Sequence, residues 1–313
     1  MKIFFLFLLL ISCDPPAKKI SPTAEKYLEE VLKILESNSV NRNKINWITF
    51  RKNVFKNASQ AKSIEDTYPA VEYAIAALGD KHSYFASAKP QINENEKEPP
   101  IYEEITVPKD IGYIHIPWFI GDEKQIITYQ NNIQQKIKRL DKPTLKGWIV
   151  DLRGNFGGNM WPMLAGVGPL LNGDTIGYFV DPDEKLSVWR YTKGKAMNEG
   201  SIRTEVKDYY ELKKKNPVIA VLTDSITASS GEAVAVAFKK RISTKSFGGS
   251  TRGVSSGNEP FYLSDGSHIL LTTTIFADRK LTKYGSAIEP DIKISNNVEL
   301  INQAINWIYQ NKN

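Results

Sequence analysis

Between Pro22 and about Leu78, apolar residues recur three and four positions apart: Tyr27, Val31, Ile34 and Leu35, then Trp47, Phe50, Val54 and Phe55, then Val71, Ile75 and Leu78. That period puts each set on one face of a helix and predicts about three helices. Lys89 to Pro100 is polar and proline-bounded, which reads as an exposed loop or linker. The pattern then changes. Ile111 to Pro117 has the β character of a strand, and Ile126, Tyr129, Ile133, Ile137 and Leu140 share one helical face. Trp148 to Arg153 reads as another strand, opening into the glycine loop Gly154–Asn159 and a helix to about Leu171. Val218 to Leu222, bounded by Pro217, is a third apolar strand, followed by turn chemistry from Thr223 to Thr227 and a helix from Ser229 onward. After Arg241 the chain becomes strand-rich, including Ile269 to Ile275, and Glu299 to Tyr309 closes it with a helix. Alternating strands and helices predict an α/β core carrying an amino-terminal helical cap.

The first twelve residues follow none of these patterns. Met1-Lys2 precedes the apolar run Ile3–Ile11, nine residues long, and then Ser12-Cys13. A bilayer span needs about 20 residues. A positive start, a short apolar run and a small residue before the break describe an export signal. Leu10-Ile11-Ser12-Cys13 is similar to the bacterial lipobox, in which the cysteine is lipidated and becomes the mature amino terminus. Cys13 is the chain's single cysteine, which excludes an intrachain disulfide. The reading is a signal peptide over 1–12, a tether over 13–21, a helical cap region over 22–90 and a catalytic domain over 100–313. The expected location is a bacterial membrane, on its periplasmic or cell-surface side, with the protein held to the bilayer through lipidated Cys13. A composition of 41% hydrophobic and 24% charged residues suits a globular chain with a sizeable core. The net charge of +6 is spread along the chain with no basic run interleaved with aromatics, so a nucleic-acid partner is not expected.

Candidate chemistry centres on Asn216–Arg241. Ser229 and Ser230 sit where a buried strand turns into a helix, and unpaired amides converge at a helix N-terminus. A serine so placed can attack a carbonyl while nearby amides receive the oxyanion. It is equally an ordinary helix cap. Of three histidines, His115 and His268 fall inside alternating strands, whereas His82 lies in a loop after a helix. Neither H-E-x-x-H nor C-x-x-C occurs, so no metal is expected, and no cofactor either. The glycine loop lacks the lysine of a phosphate-binding loop and can instead aim bare amides at an oxyanion. Ser59-Gln60-Ala61-Lys62 fits an S-x-x-K pattern, but its companion motifs are missing and the match carries nothing.

Four blocks in order, Gly79-Asp80-Lys81-His82-Ser83, Trp148 to Gly158, Thr227 to Glu232 and Gly285 to Asp291, resemble the tail-specific (carboxyl-terminal processing) protease and tricorn-core family of serine peptidases. The resemblance covers roughly residues 78 to 295 and implies a crotonase- or ClpP-like spiral of ββα units. It implies Ser229 as nucleophile, with the amides of Gly158 and Ser230 as oxyanion hole. The carboxyl-terminal processing branch carries a lysine base where this chain has Val254. The tricorn-like branch uses an early histidine, and His82 fills that place. The glutamate of that branch has no counterpart in Leu281–Gly285, which leaves Asp278 as the substitute for orienting His82, with Glu289 and Asp80 behind it. The interval from His82 to Ile111 is too short for the PDZ domain of many relatives. The implied function is a membrane-anchored serine peptidase acting on a peptide or protein. Two other readings share the scaffold: an inactive peptide-binding lipoprotein, and an esterase or amidase on small molecules; Met160-Trp161-Pro162-Met163 after the glycine loop reads either as the lining of an apolar specificity pocket or as plain core.

Overall fold

The computed structural model describes residues 19–88 and 105–311. Cys13, the signal-like run, most of the tether and the Lys89–Pro100 segment lie outside the described residues. Helix α1 (Pro22–Asn38) starts at Ser21, whose hydroxyl accepts the Ala24 amide, with proline at its first position. Helix α2 (Trp47–Asn57) is capped by Asn46, and α3 (Tyr68–Ala77) follows. Their apolar faces form one core, and Leu263, Ile269 and Leu271 from much later in the chain complete it. The three helices match the expected cap, but its core is shared with the sheet behind it.

After α3 come β1 (Tyr84–Ala86), β2 (Ile111–His115), α4 (Glu123–Leu140), β3 (Gly147–Asp151) and α5 (Met160–Leu171). Four antiparallel strands follow: β4 (Thr175–Val180), β5 (Leu186–Thr192), β6 (Lys195–Asn198) and β7 (Ser201–Glu205). Then come β8 (Val218–Thr223), α6 (Ser230–Phe238), β9 (Thr244–Gly248), β10 (Ser256–Tyr262), β11 (His268–Ala277), β12 (Ile292–Lys293) and α7 (Asn297–Gln310). The α/β class and helical cap are as the pattern predicts. The β4–β7 segment was not legible from it.

Five strands form a parallel sheet in the order β12-β9-β8-β3-β2. Its central strands are buried on both faces, the usual state of a parallel sheet covered by helices. Alternate side chains take opposite sides: Trp148, Val150, Ile219 and Val221 pack with α4, α5 and α6, while Ile149, Val218, Ala220 and Leu222 pack with α7. The second sheet is antiparallel, in the order β1-β11-β4-β5-β6-β7 with β10 also on β11. In a parallel sheet the crevice lies at the carboxyl ends of the strands. There β3 runs into the glycine loop and β8 into the Ser229 turn.

Candidate active site

The loop after β3 is fixed from beneath. Asp151 and Arg153 form a buried bidentate pair, with Nη2 to Oδ2 at 2.6 Å and Nε to Oδ1 at 2.9 Å, and Tyr113 donates to the same carboxylate. Asn155 donates to the Ile116 carbonyl and accepts the Gly157 amide at 3.0 Å. Gly157 and Gly158 then take φ of +117° and +107°, a region open to glycine. Crowding demands glycine as well. A Cβ on Gly157 would lie 2.8 Å from Ser229 Cβ, and one on Gly158 would overlap the Phe119 carbonyl. Phe119 flanks this loop as a strand would, donating to the Gly157 carbonyl and accepting the Asn159 amide.

The turn after β8 is stitched to that loop. The Asp224 carboxylate accepts the amides of Ile226, Thr227 and Gly154, and the Thr227 hydroxyl donates to the Leu152 carbonyl at 2.9 Å. The Ala228 amide donates to the Asn155 carbonyl. Ser229 emerges with φ 50° and ψ −115°, a conformation that costs a non-glycine residue on the order of 1–3 kcal/mol. Its side chain is half-buried and stands against Gly157. The Ser230 hydroxyl donates to the Gly158 carbonyl at 2.5 Å. Among the described residues, neither the Gly158 nor the Ser230 amide has a hydrogen-bond acceptor. The loop and the turn thus present a strained serine beside two bare amides at the start of α6, where the helix dipole favours negative charge.

Glu232 fastens this turn to a third segment. It is fully buried, and Oε2 accepts the amides of Ser229 (2.8 Å) and Val254 (3.0 Å). Oε1 accepts the Thr251 hydroxyl (2.5 Å) and the Gly253 amide (3.0 Å). Burial pushes its carboxyl above the usual carboxylate range, with the four donors pulling the other way. Glu232 lies inside the Thr227–Glu232 block, but the segment it ties down is some twenty residues further on and cannot be inferred from spacing.

His82 stands in the loop between α3 and β1. Asp80 accepts the His82 and Ser83 amides, and Asn258 donates to the His82 carbonyl, so the loop is pinned to β10. The ring is half-buried, and its Nδ1 lies 2.8 Å from Ser256 Oγ. Burial pushes its pKa below the ordinary 6.5, with the Asp80 charge acting in the opposite sense. Among the described residues no hydrogen bond joins His82 to Ser229. The histidine faces a cleft of about 510 Å³ whose walls include Asn41 and Lys44 of the cap, Asp181 and Glu184 after β4, and Arg252 to Val254.

The other carboxylates go elsewhere. Asp278 is fully buried but does not orient His82: its oxygens accept the Lys280 and Thr282 amides and the Tyr284 hydroxyl. Glu289 is held by Ser250 and Lys293. Asp80 is the acid whose charge acts on the ring, while the contact at Nδ1 is to Ser256. His115 Nε2 contacts the Arg153 carbonyl, and the His268 ring lies near Tyr262. Met163 is core, while Trp161 is half-buried under Arg203. No cluster of metal-binding side chains occurs among the described residues, and none of their helices is long and apolar enough to cross a membrane.

Residues 110–294 match Peptidase family S41. A nisin-resistance protein of Lactococcus lactis subsp. lactis is 32% identical over 290 residues, which is 92% of this chain and 88% of the relative. A lipoprotein structure from Streptococcus agalactiae superposes with a TM-score of 0.74 at 28% identity, covering 98% of this chain and 99% of that one. The photosystem II D1 C-terminal processing protease shares the fold at a TM-score of 0.60 and 14% identity, over 91% of this chain and 97% of its own.

Proposed function

The chain belongs to peptidase family S41, and on that premise we propose that it is an exported serine peptidase forming an acyl-enzyme on Ser229. The observation that carries this reading is the strained Ser229 held against Gly157, with the unpartnered amides of Gly158 and Ser230 beside it. Strain at such a junction exposes a serine oxygen above a helix N-terminus. In the proposed sequence His82 takes the Ser229 proton through Nε2 as Oγ bonds to the peptide carbonyl carbon. The oxyanion rests on the two amides. The C–N bond then breaks as His82 returns the proton to the departing amine, and water repeats the steps to release the acid. A histidine with a lowered pKa is neutral and competent as a base at neutral pH.

The substrate is proposed to be a peptide lying in the cleft between the helical cap and the β4–β5 hairpin. A relative named for nisin resistance makes nisin the first peptide to assay. Export with lipidation at Cys13 is proposed from the signal-like amino terminus, in keeping with a relative described as a lipoprotein. One observation favours a second reading, a non-catalytic peptide-binding protein: no hydrogen bond links His82 to Ser229, although such bonds are often long without substrate. A fluorophosphonate probe separates the two. Labelling should be lost in Ser229→Ala, and peptide cleavage should fall on the order of 10⁴- to 10⁶-fold. Full labelling of that variant, or none of the native protein, would refute the enzyme reading.

A further inference from the structure

A serine–histidine pair needs a group that fixes the imidazole tautomer, and every carboxylate considered for that task is engaged elsewhere or acts at a distance. The group in contact with the ring is a hydroxyl, Ser256 Oγ, 2.8 Å from Nδ1. We propose that Ser256 is the positioning residue of the site: it accepts the Nδ1 proton, holds the ring plane, and leaves Nε2 unprotonated to act on Ser229. This rests on the reading of His82 as general base. Nδ1–H donating to a fixed acceptor leaves the lone pair on Nε2, and which nitrogen carries the proton is set by the partner of the other.

The setting of Ser256 suits the task. It is the first residue of β10, buried and paired with Ile275, and its amide donates to the Val254 carbonyl at 2.8 Å. Val254 in turn donates to Glu232, which also accepts the Ser229 amide. The partner of the base and the backbone of the nucleophile therefore hang from one carboxylate. A hydroxyl differs from the usual triad carboxylate in carrying no charge, so it orients the ring without strongly favouring the imidazolium. That is consistent with a ring whose pKa lies low. Asp80 is the nearby countercharge, and Lys44, Lys81, Asp181, Glu184 and Arg252 are the other charged groups along the cleft.

The plain alternative is that a buried hydroxyl merely uses the ring to satisfy itself. Imidazole ¹⁵N NMR of the full-length protein and peptide-cleavage kinetics of Ser256→Ala and Ser256→Thr distinguish the two. The native ring should show protonated Nδ1, and Ser256→Ala should shift the population toward protonated Nε2. With misplacement of the base the cost should be about 10- to 100-fold in kcat with KM little changed. The acid limb of the rate profile should move to lower pH, because the cation loses the stronger hydrogen bond. Ser256→Thr, keeping the hydroxyl, should recover most of the rate. Protonated Nε2 in the native protein, or a Ser256→Ala variant with native kcat and pH limb, would overturn the proposal. Activity surviving His82→Ala would instead overturn the assignment of the base itself.

Discussion

Glu232→Gln and Glu232→Ala together probe the joint between the serine turn and the segment that leads to Ser256. Each Glu232 oxygen accepts two donors: Ser229 and Val254 amides on one, the Thr251 hydroxyl and Gly253 amide on the other. Glutamine keeps one acceptor oxygen and turns the other into a donor. Its favourable orientation leaves the oxygen on the Ser229 and Val254 amides and points the NH₂ at Thr251, whose hydroxyl can reverse and accept. The Gly253 amide and the Thr251 hydroxyl proton then lose their acceptor, each costing about 1–3 kcal/mol. Removal of a buried charge offsets part of that loss. Alanine orphans four donors, roughly 4–12 kcal/mol by the same measure, against a total stability on the order of 5–15 kcal/mol. Urea denaturation should therefore show a modest loss for Glu232→Gln and a severe one for Glu232→Ala. Fluorophosphonate labelling should persist in the first and fail in the second. The pH dependence has a definite sign. The folded protein holds the Glu232 proton more tightly than the unfolded chain, so stability falls as pH rises from 4.5 through the raised pKa. That component should vanish in Glu232→Gln. An alanine variant within about 1 kcal/mol of native stability would refute the reasoning, since the cost of unsatisfied buried donors could not then apply.

The lowered pKa of His82 places the acid limb of kcat/KM below pH 6.5, measurable with any cleaved peptide; a limb above 6.5 would contradict the burial argument. The same depression makes the unfolded chain the better proton binder just below 6.5. Native stability should therefore decline as pH falls through that window, and His82→Ala should remove the decline. Gly158→Ala sets a Cβ against the Phe119 carbonyl at a φ of +107°, so labelling of Ser229 should drop even where circular dichroism is native. Cys13→Ala should shift the protein from the membrane fraction to the soluble fraction of its host, as read by fractionation and immunoblot.

What could be read from the chain follows from how each part is stabilised. Val218–Leu222 was visible as a strand because both its faces are buried and its residues are uniformly apolar. The glycines were visible because φ near +110° leaves few other choices. Strands β5 to β7 were not visible. They are half-exposed and mixed in polarity, and they turn on Lys193-Gly194 and Glu199-Gly200, with positive φ at all four residues. These tight turns use lysine and glutamate where asparagine or aspartate would have signalled a hairpin. Asp278 was misread for a different reason. Chain position does not say which donors a carboxylate meets, and the donors Asp278 meets are two local amides and the Tyr284 hydroxyl. Ser256 gave no signal at all, being one serine among several in a glycine-rich turn.

The hydrogen bond between His82 and Ser256 spans 174 residues of sequence. A chain emerging from its amino terminus therefore carries the histidine long before the hydroxyl that holds it, with the serine turn arriving in between. The histidine half of such a site is pinned only where β10 lies beside β11 and the histidine loop docks on it. A fragment ending before residue 256 would hold both chemically distinctive residues and still have no arranged pair. For an exported peptidase of the kind we propose, an incomplete chain would then lack an oriented base.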